Sequence, residues 1–319
     1  MPSMNIKMIW KSAFAALLYA GALAAAEESS VIFTDKSVEL LIPECPLALG
    51  AVEIAKVEPL HNFTDWTKQE HFETYTLMRK VAQIWDEREV YNYLMLGVQD
   101  YSPAAKPFSW QMVPFPESES KLLRQIAVIW HTFFGGSCLS LEDRHHEAIH
   151  YRHYVYESEQ EWQPIDRKVC KNNEDPFLQS AVLAKQQIYE GKQVRVLYNY
   201  APLQPLAFLI ITKEQRRSFQ ELTPQEYEEA QQVAQKIIAH YYKQGHELAY
   251  LFHKTGSNAG QTVCHWHQHL IFPEERITSY WQGIYMLGKL LGSEAPLSDE
   301  ELANRVEPLK NEFQTIFSR

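Results

Sequence analysis

The chain repeats itself, and that limits it to folds that can be built from two copies of one unit. Cys45-Pro46-Leu47 is matched by Ala201-Pro202-Leu203, and Phe63-Thr64 by Phe219-Gln220, at an offset of 156. Tyr93-Leu94 is matched by Tyr250-Leu251, and Trp110-Gln111-Met112-Val113-Pro114-Phe115-Pro116 by His267-Gln268-His269-Leu270-Ile271-Phe272-Pro273, at an offset of 157 that continues from Gly135 to Gly292. Self-similarity at a fixed period signals a supersecondary unit used more than once. Each copy is expected to hold an extended hairpin (about 31–57 and 194–213), an amphipathic helix (about 66–87 and 223–244), two further strands and a terminal helix. The expected fold class is therefore α+β. In the second copy Thr223 as N-cap, Pro224 at the first helical position and Gly245 past the end are the appropriate punctuation.

The second copy carries the chemistry. His265, His267 and His269 are spaced two apart in a run that reads as a buried strand, so alternation sends all three imidazoles to one face. Imidazole serves as nucleophile, proton carrier or metal ligand near neutral pH. At an offset of 157 the first copy presents Phe108, Trp110 and Met112 instead, which can neither act as a nucleophilic imidazole nor carry protons. One live half and one degenerate half are expected.

The residues leading into the triplet, Gly256-Ser257-Asn258-Ala259-Gly260-Gln261-Thr262-Val263-Cys264, complete the pattern Gly-x-x-x-Gly-Gln-(Ser/Thr)-Val-x-His-x-His-x-His. This resembles the signature of the histidine-triad (HIT) superfamily. The repeat resembles the tandem arrangement of galactose-1-phosphate uridylyltransferase-like proteins, in which two such domains, each an antiparallel sheet with packed helices, form an internal pseudo-dimer. The resemblance covers residues 176–290 well and 31–135 weakly.

It implies a nucleotidyl hydrolase or transferase acting on the α-phosphate of a nucleotide ester or anhydride. His267 would be the nucleophile, His265 its orienting partner and His269 a contact to phosphate oxygen and leaving group. Gln261 and Thr262 stand at the family's positions for phosphate-oxygen contacts, Gly260 and Asn258 lie in the same loop, and Lys254 replaces a phosphate-contacting asparagine. Asn199 stands where a ribose-binding aspartate is usual, and Tyr189 and Tyr198 are candidates to border the base. Three departures bear on activity: Ala207 replaces the upstream histidine that usually buttresses the triad, and Thr212 and Gln215 replace a proline and a further histidine. The alternative is a catalytically degenerate nucleotide-binding or protein-interaction module. A zinc site on the three histidines would leave the Gly-Gln-Thr lead-in unexplained, so no metal and no cofactor are expected.

The remaining stretches give bounds. Residues 1–26 hold Lys7 and Lys11 and then an uncharged apolar run ending in alanines, which reads as a secretory signal peptide and is too short for a spanning helix. Its removal would leave 27–136 as a degenerate HIT-like domain, 137–175 as a connecting hairpin and 176–319 as the domain with the triad. An exported, periplasmic or secreted protein is expected, without membrane contact once the signal is gone. The formal charge of −10, which becomes −12 without the two lysines, argues against nucleic acid. The expected partners are a small-molecule nucleotide substrate and, within the chain, the N-terminal half packed on the C-terminal half. In the connection, His145, His146, His150 and His153 interleave with Tyr151, Tyr154 and Tyr156, and the alternation from Ile149 to Tyr156 suggests a solvated strand. Of the cysteines, Cys138 with Cys170 is the favoured disulfide, against free buried thiols, and Cys264 reads as core. Trp85, Trp130, Trp162 and Trp281 read as packing residues.

Overall fold

A computed structural model of the chain describes residues 30–58, 62–157, 175–277, 279, 281–285 and 295–318. Residues 1–26, expected to be a signal peptide, Trp162 and Cys170 lie outside these residues. Ten antiparallel strands form one sheet: β1 (Val31–Asp35), β2 (Val38–Leu41), β3 (Val52–Lys56), β4 (Tyr93–Asp100), β5 (Trp110–Pro114), β6 (Gln187–Glu190), β7 (Val194–Tyr198), β8 (Leu206–Thr212), β9 (Leu248–Thr255) and β10 (His267–Phe272). Their spatial order is β1-β2-β3-β5-β4-β9-β10-β8-β7-β6. Each half supplies five strands, and the two runs are mirror orders that meet where β4 pairs with β9 from Tyr93↔Thr255 to Asp100↔Leu248.

The helices repeat as well. α1 (Lys68–Glu87) and α5 (Pro224–Lys243) each have 20 residues and begin with a capping box, Thr67 with Glu70 and Thr223 with Glu226. Such a box satisfies two otherwise orphaned backbone N–H groups at the helix start. The two helices pack side by side under the central strands. The Tyr75 hydroxyl donates to the Leu222 carbonyl, its ring packs on Phe219 and Tyr227, and the Gln235 amide donates to the carbonyls of Phe63 and Trp66 at 2.8 Å. One apolar core, with Trp110, Trp266, Phe208 and Phe313 fully enclosed, runs through both halves on this side of the sheet. The N-terminal half is thus packed on the C-terminal half. Gly97 marks a close approach: a Cβ there would lie 2.5 Å from the Phe108 ring.

Three expectations are corrected. First, residues 141–157 are not a strand but a helix, α3 (Leu141–Glu157), which lies between α2 (Lys121–Phe134) and α4 (Ser180–Gln186) in the chain. The buried positions are Ala148, Tyr151 and Val155, at helical spacing, and α3 packs on β1 and α1. α6 (Asp299–Phe317) packs on β6 and α5 in the same way, through Leu302, Val306, Leu309 and Phe313. α3 is therefore the terminal helix of the first half rather than part of a connecting hairpin. His146, His150 and His153 lie exposed on it.

Second, Cys138 pairs with Cys45, closing a loop with a sequence separation of 93, and Cys264 is also disulfide-bonded rather than a simple core thiol. Among the described residues no cysteine is free. Third, Trp281 is 77 % exposed, unlike Trp85 at 2 %.

The strand register also corrects the match between the halves. Val52↔Met112 and Ile54↔Trp110 in the first half are repeated by Phe208↔Leu270 and Ile210↔Gln268 in the second, so the offset is 156 for β3 and β8 but 158 for β5 and β10. Trp110 and Met112 face the helices, as do Gln268, bonded to Gln231 of α5 at 3.0 Å, and Leu270. A one-residue slip moves every side chain to the other face. The true counterparts of His267 and His269 are Ser109 and Gln111, with Ser109 hydrogen-bonded to Glu53. The first half still lacks the triad, but through different residues.

The Cys45–Cys138 bond ties α3 and the Leu139 amide, which donates to the Glu44 carbonyl at 2.7 Å, to the end of β2. Constraining so long a loop in the unfolded chain is worth roughly 4–5 kcal/mol on the chain-entropy estimate. Cys45→Ser with Cys138→Ser is expected to lower the unfolding free energy by about 2–4 kcal/mol. Denaturant curves with and without reductant check this. A wild-type curve that reductant leaves unmoved would count against the bond.

Candidate active site

The sheet's second face, opposite α1 and α5, holds the histidines. His267 opens β10 and pairs with Ile211, and His269 sits between Phe252 and Leu209. His265 precedes the strand. The three rings share this neighbourhood: Phe177 stands edge-on to His265 and His267 at 5.8 and 5.3 Å, and the His267 and His269 rings are 5.0 Å apart. His269 stacks on Phe252 at 4.4 Å.

Each imidazole is held differently. Nδ1–H of His267 donates to the His265 carbonyl at 2.7 Å, which fixes the ring and leaves Nε2 as the lone-pair nitrogen. Burial, foremost, pushes the His267 imidazole down to about 4, partly opposed by that hydrogen bond. At neutral pH the ring is therefore uncharged. Burial also holds His269 well below the usual imidazole range.

His265 donates from Nδ1 to Asp175 Oδ2 at 2.7 Å, and its Nε2 lies 2.9 Å from both the hydroxyl and the carbonyl of Thr212. Asp175 was invisible as a site residue in the sequence, since it lies 90 positions from His265. It caps a short 3₁₀ turn, Pro176–Leu178, accepting from the Phe177 amide at 3.0 Å, so one Asp-Pro-Phe step delivers both the carboxylate and the aromatic wall. The Asp-Pro cap was the available sequence signal.

The loop before the triad is shaped by both halves. Gly256 has φ +85° and passes so close to Asn92 that a Cβ would lie 2.2 Å from Asn92 Oδ1, and the same oxygen accepts from the Asn258 amide at 3.0 Å. Gln125 of α2 donates to the Asn258 carbonyl at 3.1 Å. Gln261 is committed to the loop: its carbonyl accepts from the Gly256 amide at 2.8 Å and its NH₂ donates to the carbonyls of Arg217 and Val263. Thr262 is exposed, while Lys254 lies half-buried with Nζ beside Gly260. Burial, with Lys121 nearby, lowers the Lys254 ammonium to about 8, and among the described residues neither lysine has a carboxylate partner.

A cavity of about 490 Å³ adjoins this loop, between α2 and strands β4, β9 and β10. Lys254, Gly260 and Thr262 form one end, and Leu203 and Gln204, on the tip between β7 and β8, reach the other. His267 and His269 border it through Phe252 and Lys254 rather than lining it.

Other expected residues lie elsewhere. Tyr189 is on the edge strand β6, stacked on Phe317 of α6 at 3.8 Å, and Tyr198 is fully buried with its hydroxyl donating to the Pro205 carbonyl and accepting from Arg305. Neither lines this cavity, and their apolar bodies pack with the core under α6. Asn199 accepts from the Ala201 amide at 3.1 Å in a turn that closes the β7–β8 hairpin, and it is not part of the cavity wall. Ala207 is buried opposite Ile271 and offers no polar group. Among the described residues no group of three or more His, Cys, Asp or Glu side chains is gathered to hold a metal ion.

Residues 180–276 match the HIT domain family profile. No curated protein matches the chain by sequence. Among solved structures, the chain is similar to a GalT-like protein from Arabidopsis thaliana (13 % identity, 88 % of this chain and 89 % of that one, TM-score 0.52) and to an ADP-glucose phosphorylase from the same plant with ADP-glucose bound (12 %, 87 % and 86 %, TM-score 0.52). At such identities the likeness is one of fold, and it spans both halves. The chain carries a histidine-triad domain at residues 180–276, set in a tandem fold of the GalT-like kind.

Proposed function

We propose that the protein is a nucleotidyl hydrolase or transferase that works through a covalent intermediate on His267. The observation that carries this reading is the hydrogen bond from His267 Nδ1–H to the His265 carbonyl, which leaves Nε2 unprotonated in the field of Lys254, a lysine with no carboxylate partner among the described residues. Nε2 attacks the α-phosphorus, a P–N bond forms, and the P–O bond to the leaving group breaks. Nδ1 keeps its proton, and the His265 carbonyl stabilises the cationic ring. Water or an acceptor hydroxyl then adds to phosphorus, loses its proton, and releases His267 as the P–N bond breaks. Lys254, Thr262 and His269 flank the phosphate, and an ammonium there offsets the charge that builds in the transition state. The pairing of His265 with Asp175 and Thr212 supports activity despite Ala207, because it supplies the orientation that an upstream histidine would otherwise give.

The reading as a degenerate binding module is favoured by one observation, the commitment of Gln261 to the loop. It predicts nucleotide binding without turnover. We also propose that the chain is exported, a reading supported by the oxidised Cys45, Cys138 and Cys264, since disulfides persist in oxidising compartments.

Incubation with nucleoside phosphoramidates, dinucleoside polyphosphates and nucleotide sugars, followed by intact-protein mass spectrometry, is expected to reveal a nucleotidyl adduct. The adduct should be absent in His267→Ala, with turnover down at least about a thousandfold. Binding without adduct or product in folded protein would select the binding module. The pH profile of kcat/KM should fall on the acid side through about 4, where His267 takes up a proton, and on the alkaline side through about 8, where Lys254 loses one. Lys254→Met should remove the alkaline limb. Asp175→Asn keeps the shape but not the charge, and should lower kcat roughly ten- to a hundredfold with little change in KM. An unchanged kcat would show that His265 needs no such anchor.

A further inference from the structure

The cavity beside the triad is chemically graded. At the end nearest His267 lie Lys254, Lys121 and Thr262, two cations and a hydroxyl with no carboxylate among them. The middle is walled by Leu96, Phe252 and Ile271 from the sheet and by Val128 and Ile129 from α2, with Thr132 as the polar exception. At the far end stand Glu274 and Glu275, both exposed, and Arg276, whose guanidinium is already bonded to Asp100 at 2.6–2.8 Å and lies 3.7 Å from Glu247. From Lys254 to Tyr250 the cavity follows β9 for four residues, about 13 Å.

The amides along the wall are already engaged. Gln125 donates to the Asn258 carbonyl, and Gln282 accepts from the Ser279 amide. A hexose carries hydroxyls on every edge, and enclosing it here would leave most of them without partners, at a cost that hydrogen bonds to water do not impose. A hydrocarbon or aryl group would bury apolar surface on every side. The acidic far rim disfavours a second anionic group, so among the described residues the anion position is at the lysines. The mouth carries apolar surface outward as well, with Tyr285 63 % exposed.

We propose that the ligand of this cavity is an amphipathic phosphate ester: its phosphate sits between Lys254, Lys121 and Thr262, and an alkyl, prenyl or aryl arm lies under α2. This rests on the nucleotidyl reading of His267 only in identifying that phosphate with the one attacked. It makes the substrate a nucleotide ester or anhydride with an apolar arm rather than a sugar arm.

The test measures equilibrium binding by titration calorimetry on the full chain, so it does not depend on turnover. The probes are inorganic phosphate, glucose 1-phosphate and a series from ethyl to octyl phosphate. Affinity is expected to rise two- to fourfold per methylene, approaching the limit of full burial, and then to level off. Glucose 1-phosphate is expected to bind no better than ethyl phosphate. Ile129→Trp and, separately, Thr132→Trp fill the cavity from α2. Each should flatten the chain-length series while inorganic phosphate binds as before, and an unchanged circular dichroism spectrum shows which variants have folded. A flat series in the wild-type chain overturns the proposal, as does glucose 1-phosphate binding as tightly as octyl phosphate. A chain-length gain that survives in a folded tryptophan variant also overturns it. If the series behaves as expected but no adduct forms on His267, the nucleotidyl reading falls and the ligand class stands. If an adduct forms and the series is flat, the reverse holds.

Discussion

The antiparallel pairing of β4 with β9 is the contact on which the rest of the molecule depends. Each half alone would end its sheet on a long apolar strand with unpaired N–H and C=O groups, an invitation to uncontrolled pairing. Joining the two such edges removes both, and it fixes the relation between the halves to within a strand register. Everything nearer the site follows from that register. α1 and α5 come side by side on one face, Asn92 meets the Gly256 loop at the other, and α2 of the first half is carried over strands of the second.

Strand alternation explains how one repeated unit holds a histidine-bearing face in one copy and none in the other. The same strand presents Trp110 and Met112 to the core in the first half, and Gln268 and Leu270 in the second. The second face is the one free to vary, because it is not required for the shared core. There, His267 and His269 correspond to Ser109 and Gln111. A match read along the letters at 157 aligned the histidines with core residues, because sequence similarity does not register a two-residue difference in loop length, whereas the pleat does.

What was legible followed from local pattern. The glycine-rich lead-in and three alternating histidines point to a loop feeding a strand, and Thr223, Pro224 and Gly245 bound α5 without tertiary information. What was not legible depends on contacts between distant residues. Asp175 becomes part of the site only because a 3₁₀ turn lays it against His265. Tyr189 stacks on Phe317, which the last helix brings in from 128 positions away. In α3, aromatic and polar residues alternate closely enough to imitate a strand. The packing of Ala148, Tyr151 and Val155 against β1 and α1 decides for the helix, as tertiary burial overrides a short period-two pattern.

The degenerate half is not passive in this arrangement. Its Asn92 side chain accepts from the Asn258 amide and occupies the space that keeps position 256 a glycine, and its Gln125 holds the same loop from above. Lys121, from the first turn of α2, places a second positive charge near Lys254 and so helps to set where that lysine titrates. The first half carries no triad, yet it performs three structural tasks for the site of the second. A half that supplies the floor, roof and charge beside its partner's histidines needs none of its own, since what that site requires of it is shape and charge.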